Sequence, residues 1–346
     1  MLKDTSLADK ELKNSKRYEA LDTLRGVAAL VVALGHFEFF EGFSHSYYLA
    51  VDFFLLLSGF VLTHSYFFRR DVSFLQYVGR RFFRMYPLHL ATLMIWMISA
   101  VLTAKQMDQS NFFLHLFFIH NIGFGPNELT FNMPSWTISV EFWINVIFYV
   151  LIFGILRTTR IFFVALSMLG GVFYFLTAFY TGSLNAVLDD YQGVLNAGLV
   201  RCSASFALGI LLYYVFKTFK LATSSFVEIA LLVVFISCLC SPVLSGYLDF
   251  AAIPVFVFVV WVFAGSCTPV TDFLRRFKII GDISFSVYLT HFPILVILIK
   301  VYPGIQNSIL GLTVFLCSVL GVSALCYKYF EMPIYRWSVT AFRLRG

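Results

Sequence analysis

The sequence predicts an all-α polytopic membrane protein with about ten transmembrane helices and both termini cytoplasmic. Three observations predict it. Hydrophobic residues fill 60% of the 346 positions and charged residues only 13%, with a mean hydropathy of +0.83. A soluble fold of this size cannot hide that much apolar surface. Apolar runs of about 20 residues, the length that crosses a hydrocarbon core of about 30 Å, recur along the chain. Basic residues collect in alternate connections between those runs, as the positive-inside rule requires.

Taken in order, residues 1–19 are polar and of mixed charge, without an apolar h-region or a small-residue cleavage site. They read as a cytoplasmic segment and not as a removable signal. Spans follow near 21–40, 47–68 and 83–103. The run Asn111 to Asn121 is apolar but too short to cross, and reads as an interfacial or re-entrant piece of an outer loop. Further spans fall near 135–156, 160–180, 197–217, 225–245, 249–267, 281–300 and 308–329, which leaves 338–346 as a cytoplasmic tail. With the N-terminus inside, 21 of the 25 Lys and Arg residues lie in inner segments. The outer loops hold Lys105 and Lys300, while Arg25 and Arg201 lie inside spans. The net charge of +6 therefore reports topology, and nucleic acid is not an expected partner. No linker or repeat divides residues 20–337, which form one membrane domain. The six cysteines lie in apolar segments without CxxC or His-paired zinc spacing, so they read as small core residues, and neither a metal nor a disulfide is expected.

Two layers of polar residues inside the spans carry the chemical argument. Arg25 and His36 stand eleven residues apart, and eleven steps of about 100° bring both to one helix face, about 16 Å apart along the axis. A guanidinium stays charged and is expensive in hydrocarbon unless paired. The inner layer is Asp22 and Arg25, with Arg80, Arg81 and Arg84 on the run Tyr77 to Pro87. Arg81 and Arg84 share a face if that run is helical. Together they would make a pocket for a polyanion, with guanidinium forks suited to phosphate. The plainer reading is that the three arginines anchor a span at the headgroups and that Arg25 only pairs with Asp22. The outer layer is His36, Asp52, Glu141 and Arg201, which topology places at a similar depth, roughly 6–10 Å below the outer surface. Its plainer reading is a self-neutralising knot that fixes helix packing.

The two layers suggest a long anionic ligand, its phosphates among the arginines and its reactive end near the histidine. Acyl-coenzyme A has that shape. A neutral histidine beside a carboxylate is a natural general base and a possible transient nucleophile.

At these residues the chain resembles the membrane acyltransferase-3 family of bacterial O-acyltransferases. The resemblance begins with Leu21-Asp22-Thr23-Leu24-Arg25-Gly26 and the spacing from Arg25 to His36. It continues through Val51-Asp52-Phe53-Phe54, Leu57-Ser58-Gly59-Phe60, Arg81-Phe82-Phe83-Arg84 and Tyr86-Pro87. Trp136-Thr137-Ile138-Ser139-Val140-Glu141-Phe142 follows, then Arg201 with Phe206 and Gly209. The last stations are Ser284 to His291 and Tyr327 to Glu331 with Pro333. They run from about residue 18 to 337 in the family's order. Phe142 departs from relatives that carry a second acidic residue there. No SGNH-type domain follows the last span, which favours the stand-alone members as the guide.

The resemblance implies transfer of an acyl group, most often acetyl, from cytoplasmic acyl-CoA to a glycan hydroxyl in the bacterial inner membrane. Such acceptors include O-antigen, an exopolysaccharide unit or a lipid-linked precursor. Carried over by position, Arg25, Arg81 and Arg84, with Arg80 and Asp22 beside them, would hold the donor. His36 would activate the acceptor or briefly carry the acyl group, with Glu141 or Asp52 orienting it. Arg201 would position the acceptor or neutralise Glu141, and Ser139, Tyr288 and His291 would serve the acceptor or the structure. Acyl-CoA enters as a cosubstrate, with no bound cofactor expected. The main rival is a proton-coupled transporter using His36, Asp52 and Glu141 as a relay. Against it stand the missing repeated halves and the inner arginine cluster it leaves unused.

Overall fold

The computed structural model describes residues 18–37, 45–67, 72–102, 109–123, 129–151, 160–185, 187, 190–191 and 195–343. Most of the expected N-terminal segment, Lys105 and parts of 104–134 and 181–196, which the sequence leads one to expect as outer loops, lie outside the described residues. Within them the fold is helical. Helix α1 (Glu19–Gly35) carries Glu19 and Asp22 in its first turn, where carboxylates favour the positive end of the helix dipole. Helix α2 (Ala50–Leu62) is led in by a 3₁₀ turn at Tyr47–Leu49 and runs on into a π-helical turn at Thr63–Phe67. Helix α3 (Phe74–Leu102) is 29 residues long with Pro87 inside it.

The short α4 (Gln109–Leu116) sits in the following loop. A Pro134-containing turn, Met133–Ser135, starts α5 (Trp136–Val150), and α6 (Arg160–Thr181) comes next. A hairpin of two two-residue strands, Asp190–Tyr191 and Leu195–Asn196, precedes α7 (Ala197–Thr218), whose first turn the Asn196 side chain caps. Helices α8 (Ser225–Cys240) and α9 (Ala252–Gly265) pack as neighbours. Two short helices, α10 (Pro269–Arg275) and α11 (Lys278–Asp282), lead to α12 (Ser284–Val301). Helix α13 (Ile309–Cys326) continues through a π turn at Tyr327–Glu331 into α14 (Met332–Arg343).

Among the described residues, six stretches are long and apolar enough to cross a membrane: Tyr47–Tyr66, Val164–Thr181, Ala197–Thr218, Gly246–Gly265, Ser284–Val301 and Ile309–Phe342. Of the remaining expected spans, α1 has 17 residues and carries Glu19, Asp22 and Arg25, while α3 is long but holds Arg80, Arg81 and Arg84. The α3 boundary differs from the expected 83–103. The helix already begins at Phe74, so the whole arginine run is helical and Arg81 and Arg84 meet the i,i+3 condition. Residues 338–343 of the expected tail continue α14 as helix.

Two close approaches fix the centre. Helices α2 and α7 cross backbone to backbone, and a Cβ at Gly59 would collide with the Phe206 carbonyl, one at Gly209 with the Leu56 carbonyl. Small residues at such crossings let helices gain packing contacts that the hydrophobic effect cannot supply in lipid. The start of α1 lies equally close to α11, where Gly281 faces the Asp22 backbone. Large apolar side chains on α6, α8 and α13, among them Phe175, Phe179, Phe226 and Leu310, remain exposed. In hydrocarbon that exposure carries no penalty.

Candidate functional site

A cavity of about 120 Å³ opens between α1, α2, α3, α5 and α12. Arg25, Arg81 and Arg84 line it together with Ser58, Thr137, Glu141, Ser284 and Tyr288. Its apolar wall includes Ala29, Phe54, Val61, Met85 and Phe285. The close α1–α11 packing explains how Arg25 is held. Its Nε donates to Ser284 Oγ at 2.9 Å and its Nη2 to the Gly281 carbonyl at 2.8 Å, with Asp22 Oδ1 at 3.5 Å. Arg25 is therefore gripped from α11 and α12 as well as by Asp22.

Arg81 lies 5.9 Å from the Tyr77 ring centroid and within electrostatic reach of Glu141. Arg84 is solvent-exposed and forms no hydrogen bond among the described residues. Arg80 does not line the cavity, and its Nε is buried and unpartnered. Three guanidinium groups against one carboxylate, Glu141, leave the cavity lining net positive.

The outer layer divides. Glu141 joins the inner cavity and accepts Ser58 Oγ at 3.0 Å. Asp52 turns the other way, to Arg201. The Arg201 Nη2 to Asp52 Oδ2 distance is 2.5 Å, Nε donates to both carboxylate oxygens, and both side chains are completely buried. Ser205 Oγ donates to Asp52 Oδ1 at 2.7 Å, and Arg201 Nη2 also reaches the Tyr48 carbonyl at 2.8 Å. The expectation that Arg201 neutralises Glu141 is thus corrected, because the α2–α7 crossing places Asp52 squarely against it. No carboxylate hydrogen bond to His36 occurs among the described residues, so neither Asp52 nor Glu141 orients its ring here.

His36 ends α1 inside an aromatic box. Its ring centroid lies 4.9 Å from Tyr47, 5.1 Å from His291 and 5.7 Å from Phe292. Its Nδ1 bonds the Val32 carbonyl at 2.9 Å, which fixes Nδ1–H and leaves Nε2 as the basic atom. Tyr288 joins the cavity to this box. It lines the cavity, donates or accepts with Thr137 at 3.1 Å, and its ring is 6.0 Å from His291. Ser139 lies apart from both, its Oγ donating to the Phe118 carbonyl at 2.6 Å.

Three polar residues with no expected role stand at the site. Ser58 and Ser284 hold Glu141 and Arg25. Glu331, bonded to Ser286 Oγ, lies within electrostatic reach of both Arg84 and Arg25. Its depth on the last helix matched the inner layer, and that was its sequence signal.

Comparison with known proteins adds three findings. Residues 18–328 match the profile of a family described as an acyltransferase domain. A stretch of 82 residues, 22% of the chain, is 43% identical to "Protein 2 in picA locus" of Rhizobium radiobacter. That stretch spans 43% of the relative's own length. No solved structure matches the chain.

Proposed function

The chain belongs to the acyltransferase-3 family, and on that premise we propose that it is a multi-pass membrane O-acetyltransferase of the bacterial inner membrane. The donor is cytoplasmic acetyl-CoA, used as a cosubstrate, and the acceptor is a hydroxyl of a surface or lipid-linked glycan. The observation that carries this reading is one cavity whose lining combines Arg25, Arg81 and Arg84 with an apolar wall and Tyr288. Three guanidinium groups suit the phosphates of the donor, and Phe54, Val61 and Met85 suit its less polar arm.

The chemistry falls to His36. As the acceptor oxygen attacks the thioester carbon, its proton passes to His36 Nε2, and collapse of the tetrahedral intermediate breaks the C–S bond. The CoA thiolate leaves and takes the proton from His36. The Val32 carbonyl supports this role because it holds the tautomer that keeps Nε2 free. A variant of the same path has Nε2 attack the thioester first, forming an acyl-imidazole that the acceptor then resolves. Tyr288 lines the cavity, and its ring is 6.0 Å from that of His291, which is 5.1 Å from His36, so on this reading the thioester passes these rings to reach Nε2.

Mass spectrometry of surface polysaccharide from a deletion strain tests the proposal. Loss of one acetyl group per repeat, restored by the wild-type gene, is expected. An unchanged polysaccharide and lipid-linked pool would reject it.

A further inference from the structure

We propose that His89, His115 and His120 form a binding site for one zinc ion, which staples the loop between α3 and α5 to α3. One ring nitrogen from each histidine lies within 4.8 Å of the other two. His89 and His115 are 1% and 4% exposed, and His120 is partly buried.

The hydrogen bonds divide the six ring nitrogens into two sets. Every Nε2 faces an oxygen: His89 the His115 carbonyl at 2.9 Å, His115 the Thr130 hydroxyl at 3.1 Å, and His120 the Ser135 carbonyl at 3.1 Å. Every Nδ1 is buried without a hydrogen-bond partner. On His89 and His120 an Nε2–H facing a carbonyl fixes the tautomer whose Nδ1 lone pair is free, and the Thr130 hydroxyl can accept from His115 Nε2 in the same way, which is how metal-binding histidines are oriented by their surroundings. One nitrogen of each ring thus lies close to the other two, and each ring keeps a buried Nδ1 without a hydrogen-bond partner, an unfavourable arrangement for a protein alone. A cation removes the conflict.

The donor set selects the ion. Three neutral imidazoles and an open fourth position suit zinc, which has no ligand-field preference and takes water in the last place. Zn–N bonds of about 2.0–2.1 Å put tetrahedral ligand nitrogens about 3.4 Å apart. The cluster must therefore contract by up to about 1.4 Å, and the stacked His115 and His120 rings, 3.8 Å apart, must turn out of their stack. Both motions are side-chain rotations.

The staple has a consequence for the fold. Between His115 and His120, Phe118 sits at φ +60°, a conformation unfavourable for a bulky side chain. Its carbonyl accepts both Ser139 Oγ and Trp143 Nε1, which flank Glu141 on α5. A metal on the two histidines would hold that turn, and through it the outer loop, against the helix that carries Glu141.

The test uses full-length protein purified in detergent without a polyhistidine tag, stripped with a chelator and titrated with Zn²⁺ against a chromophoric competitor. We expect one zinc per chain and a rise in thermal stability on adding it. His115→Ala and His120→Ala should hold less than about a tenth of an equivalent, whereas His45→Gln, an exposed histidine elsewhere, should bind as the wild type does. Wild-type protein that takes up no zinc overturns the proposal, whether or not the variants fold. So does a His115→Ala, His120→Ala double variant that binds zinc like the wild type.

Discussion

His36 and His291 bring their rings within 5.1 Å, and each ties its Nδ1 to a carbonyl one turn back on its own helix, Val32 and Val287. The same tautomer follows for both, with Nε2 as the free basic atom, and His291 Nε2 is buried without a partner. The sequence argument expected a carboxylate at this place, and the structure puts an imidazole there. As a positioning residue, His291 should govern the rate and not donor binding. His291→Gln should lower kcat by about tenfold or more while acetyl-CoA affinity stays unchanged. A weakened affinity with unaltered kcat would assign His291 to the donor site instead.

The arginine cavity makes a separable prediction. Replacing Arg84, which has no hydrogen bond among the described residues, should remove donor affinity without disturbing packing. Arg84→Gln should weaken acetyl-CoA binding by about tenfold, corresponding to about 1.4 kcal/mol, and flatten its salt dependence. Arg25→Lys should also weaken binding, because an ammonium cannot reproduce the two-sided grip on Ser284 and Gly281. Calorimetry in detergent measures both.

Asp52 and Arg201 should behave oppositely. Their fork is fully buried, so losing one partner strands a charge, which costs about 3–5 kcal/mol. Asp52→Asn and Arg201→Met should each lower the unfolding temperature and the membrane yield. The Asp52→Leu, Arg201→Met double variant should recover much of the loss, because no lone charge remains. Thermal unfolding of the purified variants checks this, and a stable but inactive Arg201→Met would instead point to acceptor binding.

The α2–α7 crossing predicts a glycine contrast. Gly209→Ala drives a Cβ into the Leu56 carbonyl and should destabilise by about 1–3 kcal/mol. Gly171→Ala on α6 meets nothing within 4 Å and should be neutral or slightly stabilising. Paired melting curves separate the two cases.

These particulars show what the sequence could and could not convey. Helix periodicity, apolar run lengths and charge asymmetry report depth, so the inner arginines were found together and Glu331 was within reach of the same reasoning. Azimuth was harder. Asp52 and Ser58 are six residues apart, about 120° around one helix, and so face different neighbours. Asp52 meets Arg201 while Ser58 meets Glu141, and depth alone had merged the two groups. The three-histidine cluster carried no sequence signal, because its members sit on α3, on α4 and in the turn beyond, 26 and 5 residues apart. Only tertiary folding brings them together.

The central claim is that His36 carries the acyl-transfer chemistry, and one measurement addresses it most directly. Surface polysaccharide is compared by mass spectrometry between strains expressing wild-type protein and His36→Ala at matched membrane levels. Acetyl-CoA binding by the purified variant is confirmed to be intact. The account predicts a fall in transfer of about 10²–10⁴-fold, leaving the glycan without its acetyl group. Full acetylation by His36→Ala would contradict it.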